Sequence, residues 1–160
     1  MFKLFTIFIA ALLLNSSVLA QPSPENIEKS VKENDLAQVA MMKKDSSTAY
    51  EHLKNAVELD PTNSTFINSA AYLAMQMKEF DQSLAYLDKA LELDKETFGE
   101  SHPNVASVLN NIASVYATKG DKQKSIEYYQ KAYEMIVAEV GENHPQAEVI
   151  KGLLEREKSK

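Results

Sequence analysis

From residue 24 onward, apolar residues recur at steps of three and four positions, with polar and charged residues between them. This spacing places the apolar side chains on one face of an α-helix. Gly99, Gly120 and Gly141 interrupt the pattern where helices are expected to end, and Pro103 and Pro145 stand where later helices begin. No segment has the alternation typical of a strand. The pattern therefore predicts an all-α fold.

Three predicted helices share an arrangement of small and large residues. Each has a small residue, Leu or Tyr four positions later, and Ala three positions after that: Ala49, Leu53 and Ala56; Ser83, Leu87 and Ala90; Ser125, Tyr129 and Ala132. These positions share one helix face, where small residues let a neighbouring helix approach closely. Another alanine stands 19 positions before each final alanine, at Ala37, Ala71 and Ala113, which predicts a first helix packed on each second helix. In the turns between them, Asp45, Asp81 and Asp121 are expected to N-cap the second helices.

The spacing of these helix pairs resembles that of the tetratricopeptide-repeat (TPR) family. Ala56 and Ala90 are 34 residues apart, which is the period of this family, and Leu59-Asp60-Pro61 matches the usual end of its motif. The middle of the motif is matched by Ala113, Tyr116, Gly120, Asp121, Tyr129 and Ala132.

A longer step of 42 residues separates Ala90 from Ala132. Gly99-Glu100-Ser101-His102-Pro103 recurs after the same step as Gly141-Glu142-Asn143-His144-Pro145. With Leu109-Asn110-Asn111-Ile112-Ala113, this resembles the TPR variant of kinesin light chains and many bacterial proteins. His102 and His144 precede proline, which favours the extended backbone of an N-cap. The resemblance implies an all-α fold, an α-solenoid of three TPR helix pairs plus a C-terminal capping helix.

We therefore divide the chain into a signal peptide at residues 1–20, a short extended lead-in at residues 21–25 and a TPR domain at residues 26–158. The repeats are expected at about residues 30–61, 64–98 and 103–140, and the capping helix at residues 145–157. In that helix, Leu153 and Leu154 are expected to cover the end of the stack while residues 155–158 face water, because a repeat array needs a polar-backed terminal cap.

The first twenty residues have the pattern of an export signal. Lys3 precedes an apolar run at residues 4–14 that only Thr6 interrupts, and Val18 and Ala20 fit the spacing that a signal peptidase recognises. The run is shorter than the roughly 20 apolar residues that span a bilayer, although a retained anchor is the alternative. We expect cleavage after Ala20, a periplasmic or secreted protein, and no stable membrane insertion after cleavage.

The net charge and the lack of catalytic motifs exclude several classes of function. Removing Lys3 with the signal changes the formal charge from −6 to −7, and an acidic domain without a basic block is unsuited to binding nucleic acid. The chain has no cysteine, no Gly-x-Ser-x-Gly motif, no phosphate-binding glycine loop and no His-Glu-x-x-His motif. We therefore expect no enzymatic activity, no cofactor and no metal site.

Asparagines recur in the predicted first helices at Asn34, Asn68 and Asn110, each 22 residues before a final alanine. In TPR relatives the first helices line a concave groove, and asparagines at matching positions bind a peptide backbone. Amides offer donors and an acceptor to such a backbone, while tyrosine and methionine make apolar contacts. We predict a peptide-binding groove formed by Asn34, Gln38, Met41, Asn68, Tyr72, Met75, Asn110, Asn111 and Ser114. The alternative is that the asparagines only satisfy helix ends and contacts between repeats.

No Lys or Arg occupies these groove positions, which favours a neutral or mildly basic ligand over an acidic tail. The sequence thus predicts an exported TPR protein-protein interaction module, an adaptor or assembly factor, that binds an extended or helical segment of another protein. The alternative is a structural protein that self-associates through apolar solenoid ends and forms a homo-oligomer.

Overall fold

The computed structural model describes residues 21–160, which form seven α-helices and no strand. The helices are α1 (Pro24–Met42), α2 (Ser46–Leu59), α3 (Ser64–Gln76), α4 (Phe80–Phe98), α5 (Pro103–Lys119), α6 (Lys122–Val140) and α7 (Pro145–Ser159). The predicted all-α fold is confirmed. The predicted signal peptide and its cleavage after Ala20 lie outside the described residues.

The helices stack as three pairs and a final single helix. α1 packs on α2, α3 on α4 and α5 on α6, and each second helix also packs on the first helix that follows it, so that α6 packs on α7. α3 and α5 contact each other directly as well. The helices α1, α3, α5 and α7 therefore follow one another along one side of the stack. This is the predicted α-solenoid of three pairs with a capping helix.

The small residues of the repeat lie at the helix contacts. The three residues Ala56, Ala90 and Ala132 have no exposed surface, and Leu53, Leu87 and Tyr129 fill the space beside them with 1% of their surface exposed. Ser83 is completely buried too, and its hydroxyl donates to the carbonyl of Ala71 at 2.7 Å. A buried hydroxyl with a partner avoids the cost of an unpaired polar group. The predicted packing of small residues across each helix pair is confirmed.

The first helix begins earlier than the sequence predicted. The Ser23 hydroxyl accepts from the backbone N–H of Asn26 at 3.2 Å, and Pro24 occupies the first helical position. Proline is favourable there because its missing N–H would have no helical partner. The lead-in expected at residues 21–25 is thus only residues 21–23, because Ser23 and Pro24 form a helix start.

The two Gly-Glu-x-His-Pro segments end one helix and cap the next. Gly99 and Gly141 have φ values of 91° and 88°, which a residue with a β-carbon rarely adopts. The Nδ1 atoms of His102 and His144 accept from backbone N–H groups two residues later, at 3.1 and 3.3 Å. Both histidines have extended backbones. Their predicted N-cap role is confirmed.

Only two of the three aspartates predicted to be N-caps have that role. Asp45 accepts from Thr48 N–H at 3.0 Å, and Asp121 accepts from Lys124 N–H at 3.1 Å. The prediction for Asp81 is wrong, because α4 already begins at Phe80 and places Asp81 in its first turn. Asp81 is 94% exposed and instead accepts from Lys119 Nζ at 3.1 Å.

The capping helix α7 has an apolar inner face and a charged outer face. Ala147, Ile150 and Leu154 are buried, and Leu153 is half-buried. The outer face carries the exposed residues Glu148, Lys151, Glu155 and Lys158. Glu157 does not face water as predicted: it is 2% exposed and accepts from Lys160 Nζ at 2.5 Å. It lies three residues after Leu154 and therefore on the same face of the helix.

The other end of the stack has polar residues where the later repeats are apolar. Glu33 occupies the position of the buried Ile67 and Leu109 of the next two repeats. Its carboxylate lies 2.8 Å from Nδ1 of His52 and accepts from the Asn55 amide at 3.3 Å. The hydrogen bond with His52 is the main reason why the pKa of Glu33 is lowered. The first repeat therefore has a polar contact between α1 and α2 where the later repeats have buried apolar residues.

Candidate functional site

The helices α1, α3, α5 and α7 carry equivalent residues, which form rows across one side of the stack. α3 follows α1 by 34 residues, and α5 and α7 follow at steps of 42, with Pro103 and Pro145 at equivalent helix starts. We call four of these sets the groove rows. They are Asn34, Asn68, Asn110 and Gly152; Asp35, Ser69, Asn111 and Leu153; Gln38, Tyr72, Ser114 and Arg156; and Met41, Met75, Ala117 and Ser159.

Two neighbouring cavities open on these rows. A cavity of about 200 Å³ between α3 and α5 is lined by Asn68, Tyr72, Met75, Asn111 and Ser114, with Ser83 and Leu87 of α4 at its base. A shallower cavity of about 350 Å³ between α1 and α3 is lined by Met41, Asn68 and Tyr72, with Thr65 and Ser69. Six of the nine residues predicted for the groove therefore line one of the cavities. Asn34, Gln38 and Asn110 do not.

Asn68 and Asn111 join the two central helices of the site. The Asn111 amide donates to Asn68 Oδ1 at 3.2 Å, and the Asn68 amide donates to the carbonyl of Ser64 at 2.9 Å. The alternative role considered for the asparagines, in contacts between repeats, therefore applies to this pair. Each amide has two N–H donors, so both retain one for another partner. Both lie at the wall of the 200 Å³ cavity, where such a partner would be.

Asn110 is in a different environment although it is equivalent to Asn68. Its side-chain Oδ1 is buried and has no hydrogen-bond partner among residues 21–160. The residue of α7 equivalent to Asn111 is Leu153, which has no donor, so Asn110 lacks the bond that Asn68 receives. Asn34 is half-buried and Gln38 is exposed. The three asparagines at equivalent repeat positions, Asn34, Asn68 and Asn110, therefore do not form three equal binding sites. Only Asn68 belongs to an amide pair.

Apolar side chains surround this amide pair. Tyr72 lines both cavities and is 51% exposed, and Met41 is exposed at the α1 side of the neighbouring 350 Å³ cavity. The hydroxyl of Ser114 lies 3.0 Å from the Tyr129 hydroxyl, which fixes the floor of the site. Exposed apolar residues mark contact surfaces when they cluster next to polar groups.

Sequence reasoning missed two apolar residues on this side of the solenoid. Val31 and Val149 belong to a further row, with Thr65 and Ser107, that lies one turn before the asparagine row. Thr65 lines the α1–α3 cavity, and both valines are exposed, Val149 by 62%. The Gln146 amide donates to Ser107 Oγ at 2.7 Å and ties the start of α7 to α5. The repeat step of 42 residues, applied once more, would have placed α7 in the groove.

Residues 21–160 contain no group of three His, Cys, Asp or Glu side chains placed to hold a metal ion. None of the seven helices has the length and apolar character needed to cross a membrane.

Comparisons with known proteins agree with this architecture. Residues 61–136 match the family described as Tetratricopeptide repeat. Stress-induced-phosphoprotein 1 of Caenorhabditis elegans is 29% identical over 94 residues, covering 59% of this chain and 29% of that protein. The chain thus spans less than a third of this curated relative.

Solved structures with the same fold are similar over most of the described residues. The TPR-like repeats of a putative kinesin light chain of Podosopora anserina match with a TM-score of 0.71 and 15% identity, over 86% of this chain and 69% of that one. The first TPR of Spaghetti, bound to the HSP90 peptide SRMEEVD, matches with a TM-score of 0.63 and 12% identity, over 83% and 93%.

The fold and the comparisons together define the class of this protein, an α-solenoid of stacked helix pairs. It is a tetratricopeptide-repeat protein, and its structural neighbours include repeats of the kinesin light chain type. The family resemblance recognised in the sequence is confirmed.

Proposed function

We propose that this protein binds a segment of a partner protein in the groove between α1, α3, α5 and α7. The observation that carries the proposal is the cavity between α3 and α5, where the amides of Asn68 and Asn111 stand beside Tyr72 and Met75. Amides with a free N–H can bind a peptide backbone, and tyrosine and methionine adapt to varied apolar side chains. No step of this function needs a catalytic residue.

The ligand we propose is a neutral or mildly basic segment. The groove rows contain no Lys or Arg in α1, α3 or α5. The HSP90 peptide held by the first TPR of Spaghetti, SRMEEVD, has three acidic residues. Such a tail would find no opposite charge at the centre of this groove, and a buried carboxylate without a partner is costly.

A pair of variants tests the groove directly. Changing Asn68→Ala and Asn111→Ala together removes both partners of their mutual hydrogen bond, so neither amide is left unpaired. Losing two hydrogen bonds to a peptide is expected to weaken its binding by roughly five- to a hundredfold. The measurement is the affinity for a partner captured from the exported fraction and then purified. Asn143→Ala, in the exposed loop before α7, is the matched control and should bind as the unmodified protein does. Equal affinity of all three proteins would exclude the groove mechanism.

We propose further that the protein is an exported adaptor or assembly factor, periplasmic or secreted. This rests on the apolar run at residues 4–14 and the cleavage pattern at Val18 and Ala20. N-terminal sequencing of protein from the exported fraction should begin at Gln21. A chain that stays inside the cell and keeps Met1 would contradict export.

Self-association through the ends is the second candidate. In its favour, Leu36 and Val39 of α1 are 40% and 45% exposed at the free end of the stack. Their equivalents in α3 and α5 are buried, which means that this surface could receive another helix. At the opposite end, the charged outer face of α7 opposes stacking. A molar mass that stays that of one chain at all concentrations would exclude this function.

A further inference from the structure

The groove rows contain two charged residues, and these stand at opposite ends of the groove. Asp35 lies on α1, in the row of Ser69 and Asn111, and Arg156 lies on α7, in the row of Tyr72 and Ser114. Ser69, Asn111, Tyr72 and Ser114 line the two cavities. The two charges therefore lie on the same surface as these residues. Asp35 is at the α1 end, Arg156 is at the α7 end, and the groove rows of α3 and α5 between them are uncharged.

Neither charge has an ionic partner among residues 21–160. Lys32 is one turn from Asp35 but forms no ion pair with it, and the positions three and four residues from Arg156 hold no acidic side chain. Both side chains belong to exposed residues. Elsewhere on these two helices, Lys29 of α1 pairs with Glu25 at 2.7 Å, and Glu157 near the end of α7 pairs with Lys160. An unpaired charge at each end of a groove is available to a ligand.

We propose that the groove selects a segment with a basic group at one end and an acidic group at the other, and that it holds this segment in one direction. The basic group lies against Asp35 and the acidic group against Arg156, with uncharged residues at the amide pair. This inference rests on the groove being the binding site. Three helix-to-helix steps of roughly 10 Å separate α1 from α7, which corresponds to roughly nine extended residues.

The probe is a nine-residue peptide, acetylated and amidated, with Lys first, Asp last and Leu, Ala and Ser between. Three companion peptides have Gln in place of Lys, Asn in place of Asp, or both. Because amides bind the backbone, the probe needs only the end charges and an uncharged centre. Each lost charge is expected to weaken binding about two- to fivefold, the range of exposed ion pairs, and less at high salt.

Protein variants test which groove residue recognises which charge of the peptide. Asp35→Asn should remove the preference for Lys and keep the preference for Asp, and Arg156→Gln should do the reverse. Asp88→Asn and Lys122→Gln change the net charge equally at exposed positions outside the groove rows, and should leave both preferences unchanged. If these controls act like the groove variants, the effect is one of net charge and the assignment is wrong.

Direction is measured by placing a nitroxide at one end of the bound probe. At the Lys end it should broaden the methyl signals of Val31 and of Ile27, which is exposed one turn earlier on α1. At the Asp end it should broaden those of Val149 and Leu153 on α7. The opposite pattern, or broadening of both sets from one end, would overturn the proposed direction. Equal binding of all four peptides would overturn the charge selection and leave the groove function intact. Failure of every peptide to bind would contradict both.

Discussion

Replacing Leu87 with alanine is expected to lower the free energy of unfolding by about 2–5 kcal/mol. Leu87 is 1% exposed, and it stands between Ser83 and Ala90 at the centre of the stack. It also lies at the base of the cavity of about 200 Å³, so the space left by the truncated side chain would enlarge an existing void. Urea unfolding followed by circular dichroism measures the loss.

Met42→Ala is the control for this variant. Met42 is 80% exposed at the end of α1, and its truncation should change the unfolding free energy by less than about 0.5 kcal/mol. If both variants lost the same stability, the packing of large residues between small ones would not be what holds the repeats together.

Replacing Ile150 with glutamate is expected to cost more than about 3 kcal/mol, because it places a carboxylate without a partner against α6. Ile150 is 2% exposed on the inner face of α7. A repeat stack is stabilised by contacts between neighbours, so the loss should begin locally. Hydrogen exchange should therefore find α7 unprotected in the variant while α3 and α4 keep their protection.

The adjacent residue provides a matched control. Val149 is 62% exposed, and Val149→Glu introduces the same charge one position earlier in the same helix. Its unfolding free energy should stay close to that of the unmodified protein. A large loss from Val149→Glu would mean that the charge disturbs α7 itself and would contradict the role assigned to the inner face.

The fold was predictable because the repeat is determined by local chemistry. Ala90 and Leu87 alternate small and large on one face, and the His-Pro segments stop one helix and start the next. Each of these signals acts within a few residues and needs no knowledge of distant contacts. The same reasoning failed for Asp81, because whether an aspartate caps a helix depends on the exact helix boundary, and α4 begins two residues earlier than that prediction required.

The groove was predictable in part, because periodicity places residues on a face but does not specify their neighbours. Asn68 and Asn110 have equivalent positions, yet Asn68 bonds Asn111 whereas the buried Oδ1 of Asn110 has no partner among residues 21–160. Arg156 lies outside the predicted groove because the sequence indicates only a capping role for α7. A helix can cover the end of a core with one face and extend a ligand surface with another.

The recurring His-Pro joint has a consequence for how such a site can change over time. The inner face of α7 matches that of α5 in register, since Ala147, Ile150 and Leu154 take the places of Val105, Val108 and Ile112. If residues 103–144 were duplicated and inserted before Pro145, the first helix of the copy would pack on α6 as α7 does now. The second helix of the copy would then pack on α7. Each duplication would lengthen the groove by one whole repeat. Arg156 on α7 would remain at the end of the longer groove.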